Sequence, residues 1–287
     1  FLYKIGTKGQ GAGEYAFISD FNINPFSGNL EILEPYGRIH VYSLLGDFIE
    51  TKRISYPEFK VAHSLAALDN DIYVSHSLFE PKKIAYFDLN KQELLHEEFE
   101  EDMAIGSYSQ IPYQYKDEWF FYRPFHPIVY KIGKKQLEAS FKFDFGKYTK
   151  DGRTAVLSQE AKINFTKNKE EMYAQYSYMI QAVRHNDKYI FASVLWKDND
   201  HRANIIYDKS TGKSKYIIEF DEKVWFNSYR GEEIIVTDQY AIMPIQWVDL
   251  EKRVTKEMLN DKQQIILEKL LQADTEQNPI LIKYWFK

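Results

Sequence analysis

The sequence predicts an all-β fold of the β-propeller type, built from four-stranded antiparallel blades with two helical insertions. Tyr, Phe, Ile and Val fill short runs between turn residues, which is typical of strands. Several of these runs end in an aromatic residue, at Tyr42, Phe87, Tyr130, Tyr207 and Tyr284. Their spacings are 45, 43, 77 and 77 residues, and the shorter two equal the length of one blade. A β-sandwich is also all-β but predicts no such period, so the propeller is favoured.

The first complete unit spans residues 20–52 and divides into four predicted strands. Two turns with Pro and Gly separate the first three strands, and a Gly-Asp pair precedes the fourth. Four strands within about 45 residues match the size of one propeller blade. We therefore expect strands at residues 20–24, 29–33, 38–44 and 48–52.

Two segments interrupt this strand pattern with helical character. Each spacing of 77 residues contains one ordinary repeat and an insert of about 33 residues. The segment at about 150–176 is charged and helix-favouring, whereas the segment at about 250–277 repeats apolar residues at helical spacing. That apolar series is Val254, Met258, Ile265, Ile266 and Leu270. We predict a single β-propeller domain over residues 1–287 that carries both helical inserts.

Composition excludes several functional classes. The chain of 287 residues has 42 acidic and 37 basic side chains, and its formal charge of −5 argues against a general nucleic-acid binder. The absence of Cys rules out a disulfide framework, a thiolate zinc site and a Cys nucleophile. No run of about 18 apolar residues is present, so we expect no membrane-spanning helix. Aromatic residues make up 16% of the chain, and packing between blades would use many of them.

Four glycines lie close together near the N-terminus, at Gly6, Gly9, Gly11 and Gly13. We interpret them as a loop that needs positive backbone φ angles. A phosphate-binding loop is the alternative interpretation. It is disfavoured because no Gly-Lys-Ser/Thr follows and the next segment is strand-like rather than helical.

The N-terminal sequence resembles a known family. Phe1-Leu2-Tyr3-Lys4-Ile5-Gly6, followed by Gly9-Gln10-Gly11-Ala12-Gly13-Glu14-Tyr15, is similar to a signature of six-bladed β-propeller lipoproteins of Gram-negative gut bacteria. These are NHL-like propellers, largely of unknown function. Arg38–Tyr42 with Gly46–Ile49, and Asn278–Tyr284, resemble further strands of that family. The resemblance implies six blades, of which this chain represents about five.

The same resemblance implies a compartment. Its members are exported, which predicts a periplasmic protein or an outer-membrane-anchored lipoprotein. The lipid anchor of such a protein is an N-terminal Cys, and we expect that residue to lie outside this chain. Contact with the membrane would then occur only through the anchor.

Candidate ligand-binding residues follow from the repeat. Propellers bind ligands on loops that join consecutive blades and on loops that join second and third strands. Aromatic rings there could stack on sugars, and Arg could pair with the carboxylate of an acidic glycan. Any single Tyr could instead pack between blades. We assign Tyr178 and Glu14 to the loops between blades, and to the loops within blades Arg123, His126, Trp196, His76 and Tyr240.

No catalytic or metal-binding residue is assigned, and no cofactor is expected. The seven His residues are scattered and show neither His-x-His nor His-Glu-x-x-His spacing. A site of three His from neighbouring blades, His63, His76 and His126, is the weaker alternative. No Gly-x-Ser-x-Gly motif marks a serine nucleophile.

Three functional hypotheses remain open. The leading one is a monomeric binding module of the cell envelope that recognises a glycan or an envelope protein at the face carrying these loops. The second is a carbohydrate-active hydrolase or lyase that uses the same face, with His126 and Arg123 in the site. The third is a scaffold whose helical inserts dock a partner protein. The first is favoured because linear catalytic motifs are absent, although propeller enzymes often lack them.

Overall fold

A computed structural model describes most of the chain as strands joined by short turns. The described residues are 5–54, 61–77, 82–100, 112–146, 158–175, 178–196, 201–217, 235–245, 260–272 and 280–285. Contacts group the chain into two compact units, Phe1–Ser177 and Tyr178–Lys287, each of which is described by itself. The expectation of a single domain stays a prediction.

The first unit begins with a short parallel pair and a four-stranded antiparallel sheet. The pair is formed by β1 (Thr7–Lys8) and β2 (Glu14–Tyr15). The sheet has the order β3-β4-β5-β6 and agrees with the predicted strands to within two residues at each end. Its strands are β3 (Asp20–Ile23), β4 (Leu30–Leu33), β5 (Arg38–Tyr42) and β6 (Phe48–Arg53).

Two further four-stranded antiparallel sheets and two helices complete the described part of the first unit. The second sheet contains β7 (Ser64–Ala67), β8 (Ile72–His76), β9 (Lys82–Asp88) and β10 (Glu93–Glu100). The third contains β11 (Tyr113–Tyr115), β12 (Glu118–Arg123), β13 (His126–Ile132) and β14 (Leu137–Lys142). The helices that follow are α1 (Gln159–Ile163) and α2 (Phe165–Gln175).

The second unit contains one four-stranded antiparallel sheet and one three-stranded antiparallel sheet among its described residues. The first consists of β15 (Tyr178–His185), β16 (Tyr189–Trp196), β17 (His201–Asp208) and β18 (Lys213–Ile217). The second consists of β19 (Ile235–Val236), β20 (Tyr240–Ile245) and β21 (Ile280–Trp285). Helix α3 (Asp261–Leu271) lies between the last two strands in the chain.

The aromatic repeat marks one structural position. All five marker residues lie on the third strand of their sheets, namely β5, β9, β13, β17 and β21. Tyr42 and Phe87 are buried, because a third strand lies between two neighbours of its sheet and can be covered on both faces. The predicted all-β class, with four-stranded antiparallel sheets of blade size, is therefore confirmed.

The helices fall inside the two predicted inserts. The Ser158 side chain accepts a hydrogen bond from the Ala161 backbone N–H at 3.1 Å and caps α1. Asn260 and Gln263 exchange backbone-to-side-chain hydrogen bonds at 3.0 and 3.1 Å at the start of α3, an arrangement that satisfies two N–H groups of its first turn. Val254 and Met258 of the predicted apolar series lie outside the described residues. Among the described helices, none is both long and apolar enough to cross a membrane.

The first two sheets share a hydrophobic core. Alternate side chains on β4 and β5, including Leu33, Ile39 and Val41, belong to one buried cluster with Leu65 and Tyr73 of the second sheet. This alternation follows from strand geometry, in which successive side chains point to opposite faces. Because each face of a blade meets a neighbour, strands of this fold carry buried residues on both faces.

Polar side chains also join these two sheets. Asp20 on β3 accepts a hydrogen bond from the Leu65 backbone N–H at 2.9 Å, and Asn22 donates to the Leu65 carbonyl at 2.9 Å. Between β8 and β4, the Tyr73 hydroxyl donates a hydrogen bond to the buried Glu31 carboxylate at 2.6 Å. These bonds cross between neighbouring sheets, so they hold one sheet against the next.

The glycine-rich N-terminal loop has a structural role. Gly6 and Gly13 have φ angles of 63° and 71°, as the sequence predicts for this loop. The Tyr42 hydroxyl donates to the Gly13 carbonyl at 2.7 Å, which fastens the loop to β5. Gly9 and Gly11 instead leave room for the Glu14 carboxylate, which occupies the space where a side chain at Gly9 would lie. Phe1–Lys4, the first residues of the family signature, lie outside the described residues.

Candidate functional site

The hairpin that joins β12 to β13 carries two of the candidate residues. Arg123 ends β12, His126 begins β13, and the two are paired across a two-residue turn. The register shifts between Phe121 and Arg123, a bulge that re-aims the end of the strand. Arg123, Phe125 and His126 each expose only 1% of their surface. A hairpin tip is ordinarily exposed, so a buried one with a guanidinium and an imidazole is unusual.

His76 of the second sheet meets Arg123 of the third. The Nη1 atom of the Arg123 guanidinium lies 3.2 Å from the Nε2 atom of His76. Since guanidinium N–H groups only donate, Nε2 accepts, and the imidazole is neutral with its proton on Nδ1. The sequence placed both residues at the ends of second strands, and the structure brings them into direct contact.

Aromatic rings surround these polar groups. The rings of His76 and Phe121 lie 5.7 Å apart between centroids, and the rings of His126 and Tyr130 are stacked at 5.7 Å. Phe121 is fully buried. The site therefore combines a buried positive charge with apolar ring surface, and the low local dielectric strengthens any electrostatic interaction made there.

Ser64 is a member of this site that the sequence did not reveal. It begins β7 and is paired with His76 on β8, so both side chains lie on the same face of the second sheet. Its hydroxyl is buried and has no hydrogen-bond partner among the described residues. A single Ser at the start of a strand carries no sequence signal, and only the register of β7 and β8 places it beside His76.

Glu34 occupies the corresponding strand end of the first sheet, just after β4. Its Oε1 atom accepts a hydrogen bond from the Ala16 backbone N–H at 2.6 Å, and its Oε2 atom pairs with Arg38. Partial burial would raise the pKa of Glu34, but these contacts outweigh it and lower the pKa. The carboxylate is thus held ionised, and it fastens the N-terminal segment to the first sheet.

Glu14 contacts the glycine-rich loop to which it belongs. Its carboxylate accepts a hydrogen bond from the Gly11 backbone N–H at 2.8 Å, within the glycine-rich loop. Among the described residues, this contact gives Glu14 a role in loop structure. Its assignment as a ligand-binding residue stays a prediction.

The remaining three candidates belong to the second unit. Tyr178 begins β15, is fully buried and is paired with Trp196 at the end of β16. The assignment of Tyr178 as a ligand-binding residue stays a prediction. The predicted position of Tyr240 was wrong, because Tyr240 follows the turn between β19 and β20, the first and second described strands of its sheet. It therefore lies at the opposite end of its sheet from the turn between second and third strands, to which the sequence assigned it.

The second unit also places a cation between aromatic rings. The Lys283 ammonium lies 3.6 Å from the ring centroid of Tyr240 and 4.0 Å from that of Trp285. This packing gives Tyr240 a local structural role. Within the described parts of the chain, no three His, Asp or Glu side chains group closely enough to hold a metal ion.

Comparison with known proteins identifies the family. The sequence matches the domain of unknown function DUF4934 over residues 1–284. The chain is similar to the structure of a predicted exported protein of Bacteroides fragilis, with 18% identity, coverage of 100% of this chain and 81% of that chain, and a TM-score of 0.71. It is also similar to a member of the DUF4221 family from Bacteroides vulgatus, with 12% identity, coverage of 84% and 76%, and a TM-score of 0.53. No curated protein matches it.

The sequence match shows the family of this chain, whereas the structural similarities show only its fold. Identities of 18% and 12% support a shared fold and nothing beyond it. The six-bladed lipoprotein family that the N-terminal sequence resembles stays a prediction. The family match covers nearly the whole chain, and the protein is therefore a member of the DUF4934 family.

Proposed function

We propose that this protein is an exported β-propeller binding module of the bacterial cell envelope that recognises a glycan. The observation that carries the proposal is the contact between Arg123 and His76 at the ends of two neighbouring second strands, beside aromatic rings. Export is supported by the fold shared with a predicted exported protein of Bacteroides fragilis. An envelope protein that presents the same chemistry is the alternative ligand.

The chemistry of the site suits a sugar. The half-buried ring of Tyr130 offers an apolar face for the C–H surface of a pyranose, and a guanidinium donates hydrogen bonds in a planar fork. Both kinds of contact come from residues on rigid strands and a two-residue turn. A site on such elements is pre-organised, which lowers the entropy lost when a ligand binds.

Binding is favoured over catalysis by the state of His76. A histidine that activates a nucleophile must accept the proton of that nucleophile with an unoccupied ring nitrogen. The Nε2 atom of His76 accepts from Arg123 instead. A hydrolase or lyase that uses His126 and Arg123 remains the alternative, and product analysis after incubation with oligosaccharides would detect it.

A glycan array with an arginine variant tests the proposal. Arg123→Gln removes the charge and the planar fork, and we expect it to lose the glycans that the wild-type protein binds. Arg53→Gln is the matched control, because Arg53 is exposed on the outer strand β6. Equal binding by wild type and Arg123→Gln, or no glycan bound by either, would contradict a glycan site at this position.

A second candidate function is favoured by helix α3. Ile265 and Ile266 are 54% and 56% exposed on this helix, whereas Leu267 is buried. Adjacent exposed apolar residues are a common feature of protein contacts. If α3 docks a partner protein, Ile265→Asp with Ile266→Asp will abolish a complex that the wild-type protein forms in the envelope fraction, while Lys262→Asp, at an exposed position of the same helix, will preserve it.

The proposed location is tested in the native bacterium with the full gene product. We expect it in the periplasmic or outer-membrane fraction and labelled by a radioactive fatty acid. Recovery in the cytoplasmic fraction would contradict export. Recovery in the periplasm without label would support export and contradict the lipid anchor.

A further inference from the structure

We propose that Ser64 is a ligand-binding residue of the same site and that the ligand unit is a uronate, a sugar that carries a carboxylate. This inference rests on the proposed function, since it names the class of glycan and adds a residue that contacts it. Its basis is the geometry that places a buried hydroxyl, a neutral imidazole and a guanidinium together.

The first step is the position of Ser64. It is paired with His76 across β7 and β8, and directly opposed residues have Cβ atoms about 5 Å apart. The Arg123 guanidinium lies 3.2 Å from the same imidazole. Ser64 and Arg123 therefore approach His76 from two neighbouring sheets.

The second step is the contrast between two buried serines of the second sheet. The Ser75 hydroxyl donates to the Ser64 carbonyl at 2.8 Å and so supports the pairing of β7 with β8. Ser64 is only 6% exposed, and its hydroxyl makes no hydrogen bond with any of the described residues. A buried hydroxyl without a partner costs about 1–3 kcal/mol. A sugar hydroxyl would supply the missing hydrogen bond, and Ser64 can act toward it as donor or acceptor.

The third step is the charge of the site. His76 is neutral because its Nε2 accepts from Arg123, so the positive charge of this group of side chains resides on the guanidinium. A buried guanidinium favours an anion, and a planar carboxylate matches its fork of N–H groups. Among sugars, a uronate presents a carboxylate next to ring hydroxyls. Arg123 would bind the carboxylate and Ser64 a hydroxyl of the same ring.

The test is isothermal titration of the whole chain with galacturonate and glucuronate tetramers and with the neutral tetramers of galactose and glucose. We expect at least one uronate tetramer to bind ten times or more as tightly as its neutral counterpart. Ser64→Ala should weaken uronate binding about three- to tenfold, the usual effect of one hydrogen bond. Its melting temperature should not fall, because the hydroxyl has no hydrogen-bond partner among the described residues whose loss could destabilise the fold.

Two matched serine variants complete the design. Ser75→Ala should lower the melting temperature through loss of its hydrogen bond and should keep the uronate affinity. Ser193→Ala removes another buried hydroxyl, in the second unit, that has no hydrogen-bond partner in the described part of the chain, and it should keep the uronate affinity without lowering the melting temperature.

Equal affinity of wild type and Ser64→Ala overturns the role of Ser64. Equal affinity for uronate and neutral tetramers overturns the ligand class, and both results leave the proposed glycan site standing. Failure of all four tetramers to bind overturns this inference. The proposed function itself then fails only if the glycan array is also negative.

Discussion

Asp20→Asn is expected to change how the stability of the protein depends on pH. Asp20 begins β3, an edge strand of the first sheet, and its carboxylate accepts hydrogen bonds from the backbone N–H groups of Leu65 and Phe21, both at 2.9 Å. Burial raises the pKa of Asp20 from 3.8 to about 6, against the smaller opposing effect of these two hydrogen bonds. The carboxyl group thus gives up its proton less readily in the folded protein than in the unfolded chain.

The sign and size of the effect follow from linkage. Below pH 3.8 the carboxyl group of Asp20 is protonated in both the folded and the unfolded state, so its raised pKa does not lower the free energy of unfolding. As the pH rises toward 6, the unfolded chain loses this proton first, so the free energy of unfolding falls. At 1.36 kcal/mol per pKa unit, a rise of about two units corresponds to a loss of up to about 3 kcal/mol above pH 6.

Urea unfolding between pH 3.5 and 7 measures this contribution. The amide of Asp20→Asn is neutral throughout and can still accept from Leu65, so the variant should gain up to about 3 kcal/mol relative to wild type as the pH rises. Asp71→Asn is the matched control for the exchange of Asp for Asn, since Asp71 is exposed in a turn of the second sheet. A difference between Asp20→Asn and wild type that stays constant with pH would refute the reasoning.

Two further predictions concern stability. Tyr73→Phe removes the hydroxyl that donates a hydrogen bond to buried Glu31 at 2.6 Å. We expect urea titrations to show a free energy of unfolding that is lower by about 1–3 kcal/mol. An unchanged free energy of unfolding would show that this hydrogen bond adds no net stability. Gly37→Ala and Gly28→Ala both place Ala at a positive φ, of 78° and 70°, but only at Gly37 would the new Cβ lie 2.7 Å from the Ile54 carbonyl oxygen. Gly28→Ala should therefore cost about 1 kcal/mol and Gly37→Ala more, and equal melting temperatures would contradict the steric argument.

The repeat was readable from the sequence because it reflects local chemistry. Strand periodicity and turn residues are properties of neighbouring positions, so the four strands of the first sheet could be predicted to within two residues. The same holds for the helical inserts, which contain α2 and α3. The five aromatic markers recur because each lies on the third strand of its sheet, and four of these strands lie between two neighbours.

The candidate site was only partly predictable. His76 and Arg123 could be placed at the ends of second strands, yet nothing local indicates that the guanidinium of one sheet reaches the imidazole of the next. Tyr240 was assigned to the wrong turn, because the sequence does not show which two strands a given turn connects. Tyr178 resembled a ligand-binding aromatic in the sequence and is fully buried in the structure.

The sequence by itself determined the all-β class, the blade-sized repeat and the places where helices interrupt it. Those properties depend on residues a few positions apart, whose spacing is written directly in the chain. Only the tertiary structure decided which side chains share a site. Ser64 and Arg123 are 59 positions apart and approach the same imidazole because strand register and sheet-against-sheet packing bring them together. Register and packing are set by the whole buried surface, so no short segment of the sequence encodes them.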